Sequence, residues 1–234
     1  MKISIGEESP MTTGSNSRNA PPRGRPRMDE TRDNRRPWNR FAGIYDLVIK
    51  KDAAAYAQMY ELVSEDLRAD MNVLELATGT GLIALNVARF VLRIEATDFS
   101  PEMIARAKKK PAPANVSFAV SDATNLPYGA ESFDAVIISN ALHVMPKPEL
   151  ALENIRRVLK PDGVLIAPTF SHKGGNKQTA LSAVLRIAGV PVRSAWTPDE
   201  YLNFLRRNGF ETSRHRIIPA MFPLVYVAAR VHKK

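Results

Sequence analysis

A chain of 234 residues, 44% of them hydrophobic, is large enough for one well-packed domain with appendages. It contains no cysteine, which excludes disulfide scaffolds, thiolate metal sites and cysteine nucleophiles, and no metal centre is expected. A formal net charge of +9 invites an anionic partner. No apolar run is long enough to cross a bilayer, and the first residues lack the apolar core of a secretory signal, so the expected location is cytoplasmic.

Residues 1–37 are rich in Ser, Asn, Gly, Pro and Arg and almost devoid of large apolar side chains, so they cannot offset the entropy of ordering. A disordered basic tail is expected there. Its arginines include Arg18, Arg23, Arg25, Arg27, Arg32, Arg35 and Arg36, and Arg23-Gly24-Arg25-Pro26 resembles the core of AT-hook peptides, which lay arginines along a narrow minor groove. A solvated linker is the simpler account, and nucleic acid is not expected as the working partner. Peripheral membrane contact is compatible with the charge, and the oligomeric state is not legible.

Residues 38–67 then read as cap helices, with Tyr56, Met59, Tyr60 and Val63 at helical spacing. The stretch Asn72-Val73-Leu74-Glu75-Leu76-Ala77-Thr78-Gly79-Thr80-Gly81 follows. Its apolar run is too short for a helix and suits a buried parallel strand. Gly79 and Gly81 permit a tight turn and close ligand approach, and the helix starting near Leu82 offers unpaired amides to acceptor groups. No Lys-Ser or Lys-Thr pair follows, which argues against a phosphate-cradling loop. Residues 94–98 form a second strand ending in Asp98, roughly twenty residues past the turn, where Rossmann-like sites bind ribose hydroxyls. A nicotinamide-dependent oxidoreductase would share these two features.

The remaining elements alternate. Residues 82–90 are a crossover helix, and Ser100 caps a second helix with Pro101 at its first position. Strands are expected over Val116–Val120 and residues 133–139, the first followed by Asp122 and Ala123, the second by Asn140-Ala141-Leu142-His143. A helix over residues 148–159 leads through a Pro-Asp-Gly turn to a fifth strand over 163–170. Residues 171–196 read as a lid or acceptor-recognition insertion. Thr197, Pro198 and Glu200 form a capping box for a helix ending at Asn208-Gly209, and two strands over 211–218 and 222–231 form an antiparallel hairpin.

Five segments in order carry a resemblance: Glu75-Leu76-Ala77-Thr78-Gly79-Thr80-Gly81, Asp98-Phe99-Ser100-Pro101-Glu102-Met103, Asp122-Ala123, Phe133-Asp134 and Leu159-Lys160-Pro161-Asp162-Gly163. Together they resemble the motifs of class I S-adenosylmethionine-dependent methyltransferases, especially the ubiquinone and menaquinone C-methyltransferases. One departure is Ala77, which stands where that family most often has its first glycine. The resemblance covers residues 38–234 as one methyltransferase domain. It implies a Rossmann-like α/β fold, with a seven-stranded, mostly parallel sheet, an antiparallel C-terminal strand and helices on both faces.

It also implies S-adenosylmethionine as cofactor and a small-molecule acceptor. The turn with Glu75, Ala77, Gly79 and Gly81 would hold the methionine portion, and Asp98 the ribose. Phe99, Asp122 and Ala123 would hold the adenine, and Asn140 the methionine end. Tyr45, in the family's common Tyr-Asp pair, would reach the cofactor from the cap helices. His143 is the candidate base for a hydroxyl, thiol or activated-carbon acceptor. An apolar, quinone-like acceptor leads, and a phospholipid headgroup amine is the alternative.

Overall fold

The computed structural model describes Trp38 and residues 52–171, 193–220 and 223–232. The elements over these residues are α1 (Ala53–Glu65), β1 (Asn72–Leu76), α2 (Leu82–Val87), β2 (Arg93–Asp98), α3 (Pro101–Ala107), β3 (Val116–Val120), β4 (Phe133–Ile138), α4 (Pro148–Val158), β5 (Leu159–Ile166), β6 (Thr169–Phe170), α5 (Pro198–Arg207), β7 (Phe210–Ile218) and β8 (Leu224–Val231). Among the described residues no helix is long and apolar enough to cross a membrane.

All the strands join one sheet in the order β3-β2-β1-β4-β5-β8-β6, with β7 on the other edge of β8. Strands β3, β2, β1, β4 and β5 pair in parallel, and β8 is antiparallel to its neighbours. Strands β5 and β6 are one line of chain. Ile166 faces Ala228, and Thr169 faces Val225 in unbroken register, with the ladder interrupted only around Pro168. Proline has no N–H to give the ladder, so the break follows from the sequence. Counted this way the described residues form a sheet of seven strands with one antiparallel member, as the resemblance implies.

Alternation along the strands divides the core. Val73, Ala135, Ile137, Val164, Ile166 and Tyr226 face α1 and α2, whereas Leu74, Leu76, Val136, Ile138, Leu165 and Val227 face α4 and α5. Helix α4 shows how sequence selects this packing. Pro148 sits at its start, Arg156 and Arg157 at its end, and Ala151, Leu152, Ile155 and Val158 form one fully buried stripe. Each large member of that stripe contributes roughly 1.5–3 kcal/mol by leaving water. The capping box of α5 is present as read: Thr197 Oγ1 accepts from Glu200 N–H, and Glu200 Oε2 from Thr197 N–H. Gly209 follows in the left-handed region with φ of 85°.

Several boundaries differ from the sequence reading, most of them by one or two residues. The first crossover helix gives way to a 3-10 turn over Ala88–Phe90. The first described helix ends at Glu65 rather than at residue 67. Strand β5 starts at Leu159, not at residue 163, because Leu159 pairs with Phe133 and Val164 with Ala135. The Pro-Asp-Gly segment is therefore a bulge inside β5 instead of a turn before it.

Candidate active site

In this sheet the carboxyl ends of β1 and β4 lie side by side at the point where strand order reverses, the place where open α/β sheets bind ligands. The chain leaves β1 through Ala77, Gly79 and Gly81, all with positive φ (52°, 57° and 80°). At Gly81 a Cβ would lie 2.7 and 2.8 Å from the Phe118 ring, so both conformation and space require glycine. Ala77 has the same left-handed backbone without that freedom, a strain of order 1–2 kcal/mol. Its methyl does not block the turn, which closes through a Gly81 N–H to Thr78 carbonyl bond of 3.0 Å.

Asp98 ties this turn to β2. Its Oδ2 accepts from Gly79 N–H at 2.8 Å and its Oδ1 from Ser100 N–H at 2.9 Å. Each carboxylate oxygen can accept more than one bond, so acceptor capacity remains for ribose hydroxyls. Burial pushes the Asp98 carboxyl up to about 6 against the opposing pull of these amides. Glu75, also buried, is pushed up to about 8 by desolvation, with the Asp98 charge adding to it. The nearby Thr78 hydroxyl and Ala84 amide pull it down, yet Thr78 Oγ1 makes no well-formed hydrogen bond and Glu75 Oε2 has no partner. A buried carboxyl left unsatisfied is costly and suits a site completed by a polar, cationic ligand.

Phe99 is half-buried beside Asp98, and Ala123 is buried at the foot of the turn after β3. Ser121 N–H donates to the Asp98 carbonyl at 3.0 Å, which holds the ends of β2 and β3 together. Asp122 makes a local turn: its Oδ1 accepts from both the N–H and the hydroxyl of Thr124 at 2.8 Å. Only one of its two oxygens is engaged in that turn.

Beyond β4, Asn140 has φ of 52°, and its N–H donates to the Pro168 carbonyl at 2.8 Å. Its Nδ2 donates to the Tyr56 hydroxyl of α1 at 3.2 Å, while its Oδ1 is buried without a partner among the described residues. Asparagine tolerates this left-handed backbone, and a buried acceptor without a partner among the described residues makes Asn140 a candidate for a ligand contact. His143 is buried, with Nδ1 3.2 Å from Thr169 Oγ1 and its ring edge-on to Phe170 at 6.3 Å between centroids. Its carbonyl accepts from the N–H groups of Arg193 and Ser194, at the end of the insertion.

The structure thus gathers Glu75, Ala77, Gly79, Gly81, Asp98, Phe99, Asp122, Ala123 and Asn140 at the carboxyl ends of β1 to β4, with His143 one turn further on. Tyr45, the basic tail and residues 172–192 of the insertion lie outside the described residues. Sequence reasoning placed Tyr56 only as an apolar helix residue. Its spacing with Met59 and Val63 signals a buried face, and nothing local reveals that its hydroxyl reaches Asn140. Among the described residues, no group of three or more His, Cys, Asp or Glu side chains could hold a metal.

Comparison with known proteins bears on the fold and the family. Residues 74–167 match the methyltransferase domain family. A demethylmenaquinone methyltransferase of Paenarthrobacter aurescens is 39% identical over 107 residues, 46% of this chain and 42% of that protein. One from Clavibacter sepedonicus is 32% identical over 172 residues, 65% of this chain and 70% of that protein. The chain spans about half the length of the first curated relatives it matches (42% and 55%). The fold is shared with the Burkholderia thailandensis 1,6-didemethyltoxoflavin-N1-methyltransferase, solved with 1,6-didemethyltoxoflavin and S-adenosylhomocysteine, at a TM-score of 0.66 and 20% identity over 84% of this chain and 87% of that one. On these matches the chain belongs to the class I S-adenosylmethionine-dependent methyltransferases.

Proposed function

We propose that this protein transfers a methyl group from S-adenosylmethionine to a small apolar or amphipathic acceptor of the quinone-precursor type. The observation that carries the reading is the arrangement around Asp98. A buried carboxylate at the end of β2 is locked to the Gly79 amide, and two further buried acceptor atoms at the carboxyl ends of β1 and β4, Glu75 Oε2 and Asn140 Oδ1, have no partner among the described residues. The cofactor brings hydroxyls, an ammonium and a sulfonium, the groups such acceptors lack. When bound, it supplies a methyl group made electrophilic by the sulfonium.

The protein's own task is alignment. Gly79, Gly81 and Ala77 shape the cradle for the methionine portion and Asp98 orients the ribose. Phe99, Asp122 and Ala123 line the adenine side, and Asn140 faces the methionine end. Such positioning can account for several kcal/mol of a transfer barrier. His143 is assigned as the proton acceptor for an acceptor that must lose one. The Thr169 hydroxyl holds its ring from one side. The catalytic domain spans residues 38–234, with the insertion over residues 171–196 contributing to acceptor recognition, and the protein works in the cytoplasm. The acceptor class rests on the demethylmenaquinone methyltransferase relatives.

The test is transfer of labelled methyl from S-adenosylmethionine to prenylated quinone precursors in detergent, set against phosphatidylethanolamine vesicles. Product on the quinone precursor with none on the lipid is expected. Product on the lipid alone would replace the quinone reading with headgroup N-methylation. His143→Asn is expected to lower kcat at least tenfold while leaving S-adenosylhomocysteine affinity unchanged. A change in affinity alone would give His143 a packing role.

A further inference from the structure

Helix α1 lays Tyr56, Met59 and Tyr60 over the carboxyl end of β4. Tyr56 and Tyr60 pack edge-on with centroids 6.1 Å apart, and Ser139 Oγ lies 3.9 Å from Met59 Sδ. The other end of the helix is pinned to the C-terminal hairpin. Arg214 donates to the Leu62 carbonyl at 2.9 Å and to Asp66 Oδ2 at 2.7 Å, and the Tyr226 hydroxyl donates to the same Leu62 carbonyl at 3.0 Å. Arg214 also pairs with Glu65. A register shift in β7 between Thr212 and Arg214 accompanies this clamp. Tyr56 is therefore carried on an anchored helix to a fixed place beside Asn140.

An asparagine amide has two ends with opposite hydrogen-bonding character, and a half-turn about its last bond exchanges them. Here Nδ2 is held by the Tyr56 hydroxyl, which leaves Oδ1, a pure acceptor, as the buried atom without a partner. We infer that Tyr56 is a positioning residue: a hydroxyl can serve either end of an amide, and by accepting from Nδ2, as it does here, it holds Asn140 with Oδ1 turned to the ammonium group of the cofactor's methionine portion. This rests on the cofactor reading above. Reversal of the amide would aim an N–H₂ group at a cation, which is repulsive, so the orientation decides whether Asn140 helps or hinders binding.

The experiment is calorimetric titration of the full chain with two probes, S-adenosylhomocysteine and 5′-methylthioadenosine, which lacks the amino-acid portion. Tyr56→Phe is expected to weaken S-adenosylhomocysteine about fivefold and to leave 5′-methylthioadenosine unchanged. In an Asn140→Asp background the two carboxylate oxygens are equivalent and need no orienting, so adding Tyr56→Phe is expected to have less than a twofold effect. The inference is overturned if Tyr56→Phe weakens both probes equally, which is a packing effect. It is also overturned if the loss is the same in the Asn140→Asp background, or if S-adenosylhomocysteine affinity does not change. Failure of the wild-type protein to bind S-adenosylhomocysteine would instead remove the cofactor reading on which the inference rests.

Discussion

The two ends of the parallel strands are built on opposite principles. At the amino end, Asp134 accepts from Asn72 N–H at 2.9 Å and from Lys160 Nζ at 2.7 Å, joining β1, β4 and β5. These partners hold its carboxyl below the usual range. At the carboxyl end, Glu75 and Asp98 are buried and pushed upward, Glu75 Oε2 and Asn140 Oδ1 lack partners, and Ala77 and Asn140 occupy the left-handed region. The remaining non-glycine residue with positive φ among those described, Glu131, sits in an exposed turn. At the first, Asp134 is paired within the protein, whereas the second keeps two buried acceptor atoms without partners among the described residues. Such a contrast is expected where one end of a sheet serves only its own pairing and the other is the proposed site for a charged ligand.

The largest effect separating the two ends is their response to pH. Between pH 4.5 and 8 the folded protein retains a proton on Glu75 that the unfolded chain has released, so stability without cofactor falls as pH rises through that window. At about 1.4 kcal/mol per pH unit, the loss reaches at most about 5 kcal/mol. Asp98 adds a smaller loss between 3.8 and about 6. Asp134 has the opposite sign: its contribution is present above its ordinary value of 3.8 and disappears as pH falls through its depressed folded value. Urea unfolding as a function of pH should show Glu75→Gln flattening the decline toward pH 8. An unchanged profile would mean that Glu75 is not buried as a neutral acid.

Next in size is Gly81→Ala, which forces a Cβ against the Phe118 ring at a positive φ. It should cost about 2–3 kcal/mol in urea unfolding and weaken S-adenosylhomocysteine binding together with stability. Asp134→Asn, at the opposite end, should cost about 1 kcal/mol and leave cofactor affinity within twofold, because it touches only the strand starts. A cofactor effect from Asp134→Asn would break the proposed division. The smallest change is expected for Ala77→Gly. Relief of left-handed strain and the added freedom of the unfolded chain nearly cancel, for a net stabilisation of about 0.5 kcal/mol by thermal unfolding.

Much of the carboxyl end was legible in the sequence because its signals are local. Glycines at 79 and 81 mark backbone that a side chain would obstruct, a strand ending in Asp98 follows at the right interval, and the Thr197-to-Glu200 capping box is written in four residues. What escaped depends on contacts far apart in the chain. The Tyr56 to Asn140 bond joins residues 84 positions apart, and the clamp of Arg214 on Asp66 joins residues 148 apart. Neither leaves a periodic trace. The start of β5 was misplaced for a related reason. Pro161-Asp162-Gly163 has the composition of a turn, but pairing of Leu159 with Phe133 keeps the chain in the sheet and turns the same residues into a bulge. Ala77 signals its strained φ only through the resemblance, which has a glycine at that position, since alanine is ordinarily a residue that avoids it.

The most direct test of the carboxyl end as the cofactor site is calorimetric titration with S-adenosylhomocysteine of the wild-type protein and of Asp98→Ala. We predict micromolar binding by the wild type and at least a hundredfold loss in Asp98→Ala, because the variant removes both the ribose acceptor and the carboxylate that holds the Gly79 amide. Equal affinity in the two proteins, each folded by circular dichroism, would contradict the account.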